Sequence, residues 1–186
     1  MSLLVLGLAI WFLAHTFKSV APARRAALSA RFGAGPSRGI FAVAILIGLV
    51  LMILGFRGAP YIALYTPPAW AIHVNNLLML IAVVLFGAAN SPSRIKLWLR
   101  NPMLTGVVVW AVAHLLVNGD LASLILFGGL GLWAIVNMRL IDAATPRVRP
   151  TPGPVAVEVR LGIISIVVFA AIAAIHTWLG YWPFPQ

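Results

Sequence analysis

Apolar residues run along this chain in blocks of membrane-spanning length, and the polar residues gather between them. Six blocks stand out, at residues 3–20, 39–56, 70–89, 102–118, 121–140 and 160–182. A helix needs about 20 mostly apolar residues to cross a bilayer, and ~17 suffice where it stands upright or the bilayer thins. The first and fourth blocks are of that short kind. The pattern predicts an all-α fold, a polytopic membrane helical bundle of about six transmembrane helices, forming a single transmembrane domain over residues 1–186.

Composition supports the pattern. Hydrophobic residues make up 62% of the chain and charged ones 9%, where a soluble domain is roughly 45–50% apolar. Asp120, Asp142 and Glu158 are the three acidic residues. The absence of cysteine excludes disulfides, thiolate metal ligands and cysteine nucleophiles.

A net charge of +10 on a soluble protein would suggest nucleic acid, so its distribution decides. Lys18, Arg24, Arg25, Arg31 and Arg38 follow the first block, and Arg94, Lys96 and Arg100 the third. Arg139, Arg147, Arg149 and Arg160 fall in or beside the fifth loop, leaving Arg57 alone on the other side. Alternation of this kind is the positive-inside pattern, with the odd loops cytoplasmic and both termini outside. The expected partner is the lipid bilayer, not nucleic acid. No cation precedes the first block, the reverse of a secretory signal, so residues 1–20 read as an uncleaved span.

The connections carry local signals of their own. In "SRIKLWLR", Ile95, Trp98 and Leu99 share one helical face among cations, which suits a short helix at the membrane surface. Pro146, Pro150, Pro152 and Pro154 predict an extended linker. Asn118-Gly119-Asp120 reads as a turn, with Asp120 capping the next helix. The other reading has Asn118 or Asp120 orienting a histidine through its second ring nitrogen.

Candidate chemistry rests on four histidines, His15, His73, His114 and His176, all inside the apolar blocks or within a turn of their ends. Ionisable residues there are costly and count as functional candidates; the bland alternative is hydrogen-bonded helix glue. Gly106, Trp110, His114 and Asn118 fall at four-residue spacing on one helical stripe, and Trp11 precedes His15 by four. A large aromatic one turn before an imidazole suits a flat apolar cofactor gripped by an axial ligand. No paired carboxylates, phosphate loop, H-E-x-x-H or nucleophile triad accompanies them, so catalytic residues stay unassigned and any reaction borrows its chemistry from a cofactor. Imidazoles suit haem iron, zinc or copper.

The stretch "RNPMLTGVVVWAVAHLLVNGDLASLILFGG" (100–129) resembles the core signature of the NnrU family of bacterial membrane proteins. "WFLAH" (11–15), "GPSRGIF" (35–41), "TPPAWAIH" (66–73) and "PGPV" (152–155) extend the resemblance over nearly the whole chain. That family is linked to denitrification and related to plant 15-cis-zeta-carotene isomerase, a haem b membrane enzyme whose iron is held by two histidines on separate helices. The resemblance implies haem b, His15 and His114 as its metal ligands, and the bacterial inner membrane as location. Where the family usually reads Arg-His-Pro, this chain has Arg100-Asn101-Pro102.

Heights along the helices give a second grouping. His114 lies ~20 Å from Asn101 at 1.5 Å per residue, a level shared by His73 and His176, whereas His15 lies ~5 Å from Lys18. The expectation is a haem b protein with ligands His15 and His114, and with His73, His176, Trp11, Trp110, Gly106 and Asn118 around the cofactor. A redox-gated, isomerase-like activity on an apolar small molecule, or a haem role among denitrification or respiratory proteins, follows by analogy alone. The alternatives are no cofactor, or zinc: a transporter or channel, or a respiratory assembly factor, using its histidines as relays or helix glue.

Overall fold

The computed structural model describes residues 1–184, nearly all of them helical or connecting helices. The helices are α1 (Ser2–Val20), α2 (Pro22–Phe32), α3 (Ala34–Arg57), α4 (Ala71–Ala89), α5 (Ile95–Trp98), α6 (Pro102–Val117), α7 (Leu121–Ala144) and α8 (Val155–Trp178). Five of them, α1, α3, α4, α7 and α8, are long and apolar enough to cross a membrane; α6 is apolar but has 16 residues. Leu46, Ile53, Val159, Ile166 and Val167 are all about half exposed or more. Side chains of this kind facing outward along spanning-length helices identify a multi-span membrane protein in a lipid setting.

Helix ends follow the sequence chemistry. Pro22 and Pro102 open α2 and α6 at positions where a missing N–H costs nothing. Gly33 separates α2 from α3 with φ +87, backbone that disfavours any side chain. α2 lies within a stretch that reads as loop, because its polar, Arg-rich composition hides a helix behind the spanning signal. α8 begins at Val155, earlier than the apolar block, because Pro154 fixes the backbone just before it.

The chain forms two compact units. The first comprises Met1–Leu64 and Asp120–Pro146. Here α1 packs against α3 and α7 around Leu4, Leu8, Met52 and Ala122. Glycines set the spacing: a Cβ on Gly7 would stand 2.7 Å from the Gly48 carbonyl oxygen and the Met52 nitrogen, and one on Gly55 would strike the Leu4 backbone. Small residues at a helix contact are what packing within lipid uses, since apolar burial alone gives little drive there. Arg25 lies over the Phe41 ring at 4.5 Å and donates to Ser29 and Ser37, holding α2 against α3.

The second unit comprises Tyr65–Gly119 and the chain from Arg147 onward. α4 packs against α6 and α8. Gly106 lets α6 approach the Phe86 ring of α4, and Gly87 admits Leu161 of α8. The proline-rich segment is extended, as expected, but it is pinned. Gly153 N–H donates to the Pro92 carbonyl at 2.8 Å, and the Arg147 guanidinium donates to the Leu97 carbonyl at 2.8 Å. Glu158 accepts from Ser93 Oγ and the Arg94 N–H at 2.9 and 2.7 Å. The short helix α5 thus has a carboxylate at its N-terminus and a guanidinium at its C-terminus, the signs the peptide dipoles favour.

Candidate functional site

In the second unit, α4, α6 and α8 line an open-sided pocket of about 460 Å³. Its walls include Met79, Phe86, Trp110 and Val168, and its polar side chains are His114, His176 and Ser165. An apolar cavity with few polar groups is the usual form of a small-molecule site. Both imidazoles are oriented by their own helices. His114 Nδ1 donates to the Trp110 carbonyl at 2.9 Å, and His176 Nδ1 to the Ile172 carbonyl at 2.8 Å. A carbonyl can only accept, so Nδ1 carries a proton, and in the neutral form of the ring the lone pair lies on Nε2. That tautomer is the one metal-ligating histidines use when the main chain orients them. The Trp110 ring lies 4.8 Å from the His114 ring.

The end of α6 that carries His114 is tied down from several sides. Asn75 Nδ2 donates to the Ala113 carbonyl and Asn118 Nδ2 to the His114 carbonyl, both at 2.8 Å. The Tyr65 hydroxyl meets the carbonyls of Leu115 and Asn118. Of these, the Leu115 carbonyl is one that a helix terminus leaves without an in-helix partner, while the His114 carbonyl also accepts the Asn118 N–H at 2.9 Å.

In the first unit, α1 and α7 build a second aromatic group around His15. His15 Nδ1 donates to the Trp11 carbonyl at 2.9 Å, and the two rings lie 4.3 Å apart. Trp133 of α7 stands edge-on to both, 5.5 Å from Trp11 and 4.9 Å from His15. It follows a π-turn at Leu124–Gly128, which changes the face α7 presents to α1. Asn137 Nδ2 donates to the Trp133 carbonyl at 3.0 Å. The indole nitrogens of Trp11 and Trp133 are buried and have no hydrogen-bond partner.

Of the residues the sequence singles out, Trp110, His114 and His176 line this pocket. Gly106 stands behind it, making room for Phe86. His73 is exposed in the first turn of α4 and is not among the lining residues. Trp11 and His15 belong to the first unit. Asn118 bonds the His114 main chain, while the His114 Nδ1 is held by Trp110. Asp120 caps α7: its Oδ1 accepts from the Ser123 N–H at 2.9 Å and its Oδ2 from Ser123 Oγ at 2.5 Å. Burial pushes that carboxyl up, but the Ser123 hydrogen bonds outweigh it and hold the group below the usual aspartate value.

Sequence reading missed Trp133, Phe86 and Ser165. Trp133-x-x-x-Asn137 repeats the aromatic-then-polar spacing of the histidine turns, and that echo was the available signal. Among the described residues no cluster of three or more His, Asp or Glu could hold a bare metal ion.

A family model described as NnrU protein matches residues 3–183. No curated protein and no solved structure matches the chain.

Proposed function

The chain belongs to the NnrU family, and from that premise we propose that it binds haem b, with His15 and His114 as axial ligands. One observation carries the reading: the two Trp-x-x-Ala-His turns share the same local chemistry. In each, the imidazole donates from Nδ1 to the carbonyl of the preceding tryptophan at 2.9 Å, and the indole lies against the ring. Each ring therefore presents the Nε2 lone pair in a fixed rotamer, ready for a metal. The donor set suits haem, whose iron needs only axial nitrogens, better than zinc, which takes three or four protein ligands.

Bound haem would supply one-electron chemistry at its iron. His15 and His114 would hold it in the orientation their main-chain bonds fix, and Trp110, Phe86 and Val168 would supply apolar wall on the His114 side. With this reading goes the finer topology, in which α6 is a sixth, short span and both termini face outward.

The test is an oxidised-minus-reduced visible spectrum of the detergent-purified protein, with iron analysis on the same sample. The expected result is a Soret band that shifts on reduction, with near one iron per chain. His15→Ala and His114→Ala should each lose the bis-imidazole signature. Protein produced with ample haem yet lacking both band and iron overturns the reading.

A second reading is favoured by His176 sharing the pocket of His114. There the second ligand is His176, and His176→Ala loses the bis-imidazole signature while His15→Ala keeps it.

A further inference from the structure

Among the described residues, two buried side-chain polar atoms have no hydrogen-bond partner: the indole nitrogens of Trp11 and Trp133. They are not scattered. Both rings touch His15, at 4.3 and 4.9 Å, and they touch each other at 5.5 Å. Trp133 is 8% exposed. Buried N–H groups nearly always find an acceptor, and inside a bilayer no water supplies one. His15 does not meet the need through its main-chain bond, because its Nδ1 is itself a donor to Trp11. The group therefore presents two N–H donors beside an imidazole that carries a metal-binding lone pair.

Haem b brings the complementary chemistry. Its ring is flat and apolar, but its edge carries two carboxylates, and charged oxygens within a membrane need donors. We propose that the indole N–H groups of Trp11 and Trp133 donate to those carboxylates, which makes Trp133 a cofactor-binding residue. The assignment rests on the haem reading above. Exposed Lys18, three residues beyond His15, adds positive charge at the same end of α1. Charge-assisted bonds of this kind are roughly twice as strong as neutral ones. The ring contacts allow a different account, in which each N–H merely rests on a neighbouring ring face, and the two accounts separate in one experiment.

The full-length protein, purified without haem, is titrated with haem b and with its dimethyl ester, following the Soret band. Trp133→Phe and Trp11→Phe, which keep a ring but lose the N–H, are titrated alongside. Ultraviolet resonance Raman reads the indole N–H hydrogen-bond marker. The expected result is weaker binding of the ester to the native chain. Each Phe variant should bind haem b about three- to tenfold more weakly, with little change toward the ester. The indole marker should move toward the hydrogen-bonded position on adding haem b. Unchanged affinity for the ester alongside normal haem b binding overturns this assignment alone. So does an equal loss for both compounds in the variants, which marks a structural role. A missing Soret band with both compounds overturns the haem reading and this assignment together.

Discussion

Gly119 lies so tightly against Tyr65 that a Cβ on it would collide with the Tyr65 carbonyl, while the Tyr65 N–H donates to the Gly119 carbonyl at 3.1 Å. The contact holds the extended segment after α3 against the end of α6, where the Tyr65 hydroxyl reaches the Leu115 and Asn118 carbonyls. The obstacle is backbone, which cannot rotate away. Gly119→Ala is therefore expected to lower stability by about 1–3 kcal/mol. Gly162→Ala, with nothing within 4 Å of its would-be Cβ, should be neutral or slightly stabilising in the same detergent melting assay. Equal melting temperatures for the two variants would contradict this account.

Capping of α7 gives a pH prediction. The Asp120 carboxyl is held below its usual range, so the stability it confers is fully present above the ordinary aspartate value of about 3.9. It is lost only as pH falls through the lowered value. Asp120→Ala should cost about 1 kcal/mol at neutral pH and little under strong acid, with Asp120→Asn in between. A stability difference that stays constant between pH 7 and pH 2 would argue against the cap.

Glu158 holds the start of α5 through Ser93 and Arg94. Ser93 is almost fully buried, so Glu158→Ala removes the acceptor of a buried hydroxyl, at about 1–3 kcal/mol. The loosened segment is read by limited proteolysis around Arg94, Lys96 and Arg100. Faster cleavage there, without faster cleavage near Arg24 and Arg25 in the first unit, is the expected outcome.

Position relative to the pocket separates His73 from His176. His73 is exposed and outside the lining, whereas His176 is within it. His73→Ala should leave any cofactor spectrum unchanged, and His176→Ala should alter it through the shared cavity with His114. A spectral change in the His73 variant would move the site toward the N-terminal end of α4.

Much of the architecture could be read from the chain. Spanning helices are dictated by the length of their apolar blocks, because an unsatisfied backbone in lipid leaves helix as the answer. The Asp120 cap and the helix starts at Pro102 and after Pro154 are equally local, as is the pairing of His15 and His114 with a tryptophan one turn earlier. The membership signalled by residues 100–129 is likewise a property of linear sequence, and the family match extends it to residues 3–183.

Tertiary structure decided what these helices bring together. Helical periodicity places His114 on a stripe with Gly106, but only the packing of α4 and α8 shows that Gly106 faces Phe86 and that His176, rather than His73, shares the pocket. Trp133 reaches His15 through the face that α7 presents after its π-turn, a change of register that propensity does not encode. The pinned proline segment depends on bonds to residues some fifty to sixty positions away. Local chemistry fixes what each turn can offer; which turns meet is set by close contacts at glycines and by long-range hydrogen bonds, and neither has a period along the chain.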